Sequence, residues 1–178
     1  MSIATFFEFG PVTLGLFLPQ VVQVGLYGQP PRPVSPALPG GVSQTNADFG
    51  GMVQLVGYRT DQSNADRLVL DLYWQATAQV NHPYIVFVHL VNAQQRIVAQ
   101  HDGRPQNGQP LMTCWQPGEI YHDQHVIQLE PNIPAGTHTL QVGLYHSLSG
   151  ARLTVRQPTG VEADHVTLGQ IEIEPAGK

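Results

Sequence analysis

The sequence predicts an all-β fold, two antiparallel sheets packed as an immunoglobulin-like or jelly-roll sandwich over residues 46–174, and three observations predict it. Leu68, Leu70, Leu72 and Trp74 recur with period two, as do Leu140, Val142 and Leu144, which is how strands with one buried face read. Turn clusters such as Asn81-His82-Pro83, Asn92-Ala93-Gln94 and Ser149-Gly150 separate the apolar runs. No dozen-residue stretch keeps a 3.6-residue period, so helix is expected to be negligible. Taken in order, the runs place strands at 51–58, 67–76, 84–91, 95–101, 119–129, 137–145, 151–156 and 165–173. The segment 51–58 is bounded by Gly50-Gly51 and Asp61-Gln62-Ser63-Asn64, and 67–76 holds the first period-two set. Segment 84–91 is apolar on both faces, with Val86, Val88 and Leu90 on one and Phe87 and His89 on the other. Eight short strands are too many for one stable open sheet, so two layers follow.

The rest of the chain divides by composition. Residues 1–27 form an apolar arm that holds Phe6, Phe7, Phe9 and Phe17, four of the six phenylalanines. Pro30, Pro31, Pro33, Pro36 and Pro39 mark a Pro/Gly-rich linker over 28–45. QVGLY occurs at 23–27 and again at 141–145, but the first copy runs straight into the linker and is no complete repeat. The arm is expected to pack as one or two strands on the sandwich, on a neighbouring domain or on a second copy of the chain.

Charge narrows the partners. The 178 residues include 8 Lys and Arg against 13 Asp and Glu, for a net charge of -5. With no basic stripe to neutralise phosphates, nucleic acid is excluded as an expected partner. Pro11, Pro19, Gln20 and Gln23 interrupt the apolar N-terminal stretch, so no membrane span is expected there, and Glu8 with no preceding base argues against a secretory leader. Cys114 stands alone, without the spacing of a zinc or redox site, and reads as a half-buried structural residue.

Eight histidines raise the question of metal. On a strand, His122 and His125 point to opposite faces and cannot chelate one ion. His89, His101 and His125 could meet only across strands, and neither metal nor organic cofactor is expected. G-x-S-x-G and phosphate-loop motifs are absent, and no catalytic residue is assigned. Asp71, Asp102, Glu119 and Asp123 are the carboxylates that could form a glycosidase pair, although turn and edge roles are the ordinary ones. The better candidates combine rings with polar groups: Tyr73 and Gln75 opposite the Leu70, Leu72 and Trp74 face, with Phe87 and His89 from the following strand, Asp102, and Trp115 in the Trp115-Gln116-Pro117-Gly118 turn. Rings stack on the apolar faces of sugars while amides, carboxylates and imidazoles bond hydroxyls. The alternative places His89 in the core and leaves Trp115, with Tyr121 and Tyr145, capping one end of the sandwich.

LDLYWQA at 70–76, YIVFVHLVN at 84–92, RIVAQHDGRP at 96–105, CWQPGE at 114–119 and LQVGLYHSLSGARL at 140–153 occur in that order. Together they resemble a β-sandwich accessory domain attached to Chloroflexi-type membrane glycosyltransferase-like proteins of the mannosyltransferase class. The resemblance covers about residues 46–174 and implies an extracytoplasmic or cell-envelope module without catalytic residues. The resulting expectation is a non-catalytic accessory module that binds glycan weakly. A structural or protein-interaction domain with no small-molecule ligand is the alternative.

Overall fold

The computed structural model describes residues 38–174, so the arm at 1–27 and most of the linker lie outside the described residues. Within that span the protein is a two-sheet antiparallel β-sandwich, as expected. Its strands are β1 (Ser43–Phe49), β2 (Val53–Asn64), β3 (Arg67–Ala76), β4 (Tyr84–Val91), β5 (Ile97–Gly103), β6 (Ile120–Gln128), β7 (Gly136–His146), β8 (Val155–Arg156), β9 (Glu162–Ala163) and β10 (Val166–Ile173). One sheet has the order β6-β3-β2-β1-β8-β9 and the other β10-β7-β4-β5. The chain therefore changes sheet after β3, after β5, after β6, after β7 and after β9. Two short 3-10 turns, Pro105–Gly108 and Met112–Cys114, lie on the β5–β6 crossover.

The period-two runs bury the faces the sequence assigns to them. Leu68, Leu70, Leu72 and Trp74 of β3 meet Val86, Val88 and Leu90 of β4 and Leu140, Val142 and Leu144 of β7 in one core. Phe49 stands edge-on to Trp74 at 5.1 Å between ring centres. Burying each such side chain contributes about 1.5–3 kcal/mol, so this layer supplies most of the driving force. Two staples tie β2 to β10: the Tyr58 hydroxyl donates to the Leu168 carbonyl, and Gln62 Nε2 donates to the Glu172 carbonyl at 2.9 Å.

Three expectations need correction. β1 begins inside the segment expected to be linker, because the polar run SQTNADF turns only Ala47 and Phe49 fully inward. It pairs with β2 and β8, and residues 38–42 pass over β2 where a Cβ on Gly57 would stand 2.6 Å from Val42. The run 151–156 shortens to Val155–Arg156, while β9 has only two residues and leaves no periodicity to read. Cys114 is exposed rather than half-buried.

Candidate functional site

The residues named from sequence separate onto three parts of the sandwich. Tyr73 and Gln75 face outward from the six-stranded sheet, whereas Phe87 and His89 face outward from the four-stranded sheet, joined there by Asp102. The change of sheet between β3 and β4 puts the core between the two pairs. Trp115 is on neither face: it is 0% exposed, stacked on Tyr121 at 4.3 Å and 6°. Tyr121 packs with it as expected, but Tyr145 does not and instead stacks beside Phe87 at 6.4 Å. Burial, and then the hydrogen bond that the hydroxyl donates to the Glu119 carboxylate at 2.6 Å, push the Tyr121 hydroxyl up to about 12. A six-residue sugar site is therefore not assembled.

Around Tyr73 the polar groups are already committed. Arg59 donates to Asp71 Oδ2 from Nη2 at 2.7 Å, while His122 Nε2 and Gln124 Nε2 reach Oδ1 at 2.8 and 3.0 Å. Burial raises the Asp71 pKa, but the bonds from Gln124, His122 and Arg59 outweigh it and hold the carboxyl below its usual range. Tyr73 is 5% exposed and stacked on His122, so its ring offers no free face. Gln75 Nε2 donates to the Gly118 carbonyl.

The outer face of the four-stranded sheet is different. A row crosses all four strands at adjacent register positions: Gln100 on β5, His89 on β4, Gln141 on β7 and Thr167 on β10. Beside it Asp102, Phe87 and Gly143 form a second row. Phe87 lies across Gly143, where a Cβ would stand 2.1 Å from its Cζ, so only glycine lets the ring lie there. The Arg152 guanidinium covers the ring at 4.2 Å and is held by Asp164 at 2.8 Å. Phe87 is consequently 1% exposed. His89, packed 4.7 Å from it on the outward side of the sheet, is buried at 8% exposed. Burial holds the His89 imidazole below the usual histidine range, Asp102 opposes this, and Arg152 and His165 add to it. Bonds from His165 and then Arg152 keep the Asp164 carboxyl low. Burial, then Asp102, raise the Tyr145 hydroxyl. The exposed chemistry is thus amide, hydroxyl, the Asp102 carboxylate beside Tyr145 and the Arg152–Asp164 ion pair, with the rings beneath it.

Two further histidines, His101 and His125, form an arrangement that sequence alone did not assemble. His101 faces inward opposite Val88, and its Nδ1 is 2.9 Å from Nδ1 of His125. His125 Nε2 is in turn 2.8 Å from Asp123 Oδ2. His89 stands on the other face of the sheet, so the three-histidine set does not converge. His101, His125 and Asp123 bond in a line, each group satisfied by the next. The four candidate carboxylates are also dispersed: Asp71 faces outward and Asp123 inward, Asp102 belongs to the other sheet, and Glu119 binds Tyr121. Away from both faces, a groove of 590 Å³ opens at the end near Asp66, Leu129, Glu130, Ile133, Glu172 and Ile173, and none of the six residues named from sequence lines it.

Among the described residues no helix is long and apolar enough to cross a membrane. No protein-family model and no curated protein matches the chain. Among solved structures, a crystal structure from Bordetella pertussis named for the ApaA protein is similar over 75% of this chain and 98% of that one, at 15% identity and a TM-score of 0.36.

Proposed function

We propose that the protein is a non-catalytic β-sandwich accessory module whose interaction surface is the outer face of the four-stranded sheet, with a neutral polyol such as a glycan as its ligand class. The observation that carries this reading is the row Gln100, His89, Gln141 and Thr167, which sets amides, an imidazole and a hydroxyl side by side across four strands with the Asp102 carboxylate alongside. The exposed amides and hydroxyl of the row exchange hydrogen bonds with sugar hydroxyls. Because the Phe87 ring lies under Arg152, stacking adds little and affinity is weak, with Kd in the range of about mM to μM. The motif resemblance adds a cell-envelope setting to the proposal.

Isothermal titration of the full chain with neutral bacterial-wall and mannose-type oligosaccharides tests it. Binding should appear in that range and weaken about tenfold or more when Gln100→Ala and Gln141→Ala are combined, a loss of roughly 1.4 kcal/mol. No heat with any neutral oligosaccharide would reject the reading. A second reading, a structural or protein-interaction domain without small-molecule ligand, is favoured by one specific observation: Tyr73, Phe87 and Trp115 are all at most 5% exposed.

A further inference from the structure

β5 and β6 end their sheets on the same side of the sandwich, and no backbone ladder joins them. The His101–His125 contact spans that seam, and its proton content follows from its neighbours. Asp123 accepts Trp74 Nε1–H at 3.2 Å and the Gln106 backbone N–H at 2.7 Å. As an acceptor it fixes the His125 proton on Nε2, which leaves His125 Nδ1 a lone pair. His101 Nδ1–H must then be the donor across the seam. Donation runs from His101 to His125 to Asp123. Gly103 makes room for the pair, since a Cβ there would stand 3.2 Å from His101 Cε1.

A first added proton enters at Nε2 of the half-buried His101 and leaves every link intact. A second has only His125 Nδ1 to bind, where N–H would face N–H. We propose that the His101–His125 pair is a proton-operated latch between the two sheets, closed while it holds at most one extra proton and opened by the second, freeing β5 from β6. Burial, and next the facing His125, hold His101 below the usual histidine range, with Asp102 and Asp123 offsetting part of this. Val88 of β4 and Trp74 of β3 bring no charge to the pair, and the β5–β6 crossover reaches Asp123 only through the Gln106 backbone. The direction follows from the geometry: the closed pair stabilises the seam at neutral pH, and acid that supplies the second proton removes that stabilisation.

Hydrogen exchange of the full chain at about pH 7.5 and about pH 5, normalised for intrinsic rates, tests the latch on either side of the ordinary histidine value. Acid should lower protection about tenfold or more in β5 and β6 while β2 and β7 keep theirs. In His101→Asn the loss should vanish, because an amide donates to neutral His125 and accepts from its protonated form. Equal protection at both pH values, a loss spread evenly over both sheets, or the same loss in His101→Asn would overturn the proposal. Ring ¹⁵N titration of the unmodified chain gives an independent check: coupled two-step curves at His101 and His125 are expected, and two independent single-step curves would contradict it.

Discussion

Replacing Gly143 with alanine tests whether the outer face is built as described, because the two nearest ring atoms of Phe87 would lie 2.1 and 2.3 Å from the new methyl. Carbon atoms in contact normally stand about 3.5–4 Å apart, so the overlap exceeds ~1 Å and no small adjustment relieves it. The Asp164 carbonyl, 2.9 Å from the same point, blocks retreat on that side. Phe87 must therefore leave its place under Arg152 or push the backbone of β7. Turning the ring out forfeits about 1.5–3 kcal/mol of burial and about 0.5–1 kcal/mol of cation–π contact, for a loss of roughly 2–4 kcal/mol. Urea unfolding should show a lower midpoint at unchanged slope. The decisive comparison is the cycle with Phe87→Ala: once the ring is gone, Gly143→Ala should cost roughly 2 kcal/mol less. Additive effects, or a single-variant loss below about 0.5 kcal/mol, would refute the packing of Phe87 on Gly143.

Asp123→Asn keeps the size but turns an N–H₂ toward donors that now bond a carboxylate, leaving at least one of Trp74, His125 and Gln106 unpaired. A loss of about 2–4 kcal/mol is expected in chemical unfolding, and a loss within about 0.5 kcal/mol would contradict the network. Asp71, whose folded pKa is depressed, contributes stability above the ordinary aspartate value that disappears as pH falls through its lower folded value. Gln124→Ala should shrink that acid limb, and an unchanged pH–stability curve would argue against it. Tyr121 is raised to about 12, so its contribution is complete below the ordinary tyrosine value and is lost as pH rises toward the folded one. Tyrosinate absorbance should show one late-titrating group that Tyr121→Phe removes; an unchanged curve would place that group elsewhere. Deleting residues 1–27 should lower the melting temperature or change the sedimentation coefficient, and no change in either would remove the interface role expected of the Phe-rich arm.

Local pattern and global topology contributed unequally to what could be read from the chain. Alternation in β3 and β7 showed which side chains turn inward, whereas β4 is apolar on both faces and left either side to be the inner one; Asp71, Tyr73, Phe87 and His89 all stand on outward faces. Alternation carries no information on which sheet a strand joins. The crossover at 77–83 alone separates Tyr73 from Phe87, and it leaves no period or spacing to detect. Exposure was equally hidden: Arg152, more than sixty residues along the chain, covers Phe87, and His122 covers Tyr73. The link between His101 and His125 depends on β5 and β6 both being edges on the same side, a property of strand order. A weak signal for it did exist, since the inward positions of β6 alternate Tyr121, Asp123, His125 and Ile127, and a buried acid beside a buried histidine requires partners.

The proposed interaction face is tested most directly by mapping amide chemical-shift changes while a neutral oligosaccharide is titrated into the full chain. Changes concentrated at Gln100, His89, Gln141, Thr167 and Asp102, and abolished by the Gln100→Ala and Gln141→Ala pair in a folded protein, are the predicted result. Changes centred on Tyr73 and Gln75, or none at concentrations reaching about 10 mM, well above the weakest expected Kd, would contradict it.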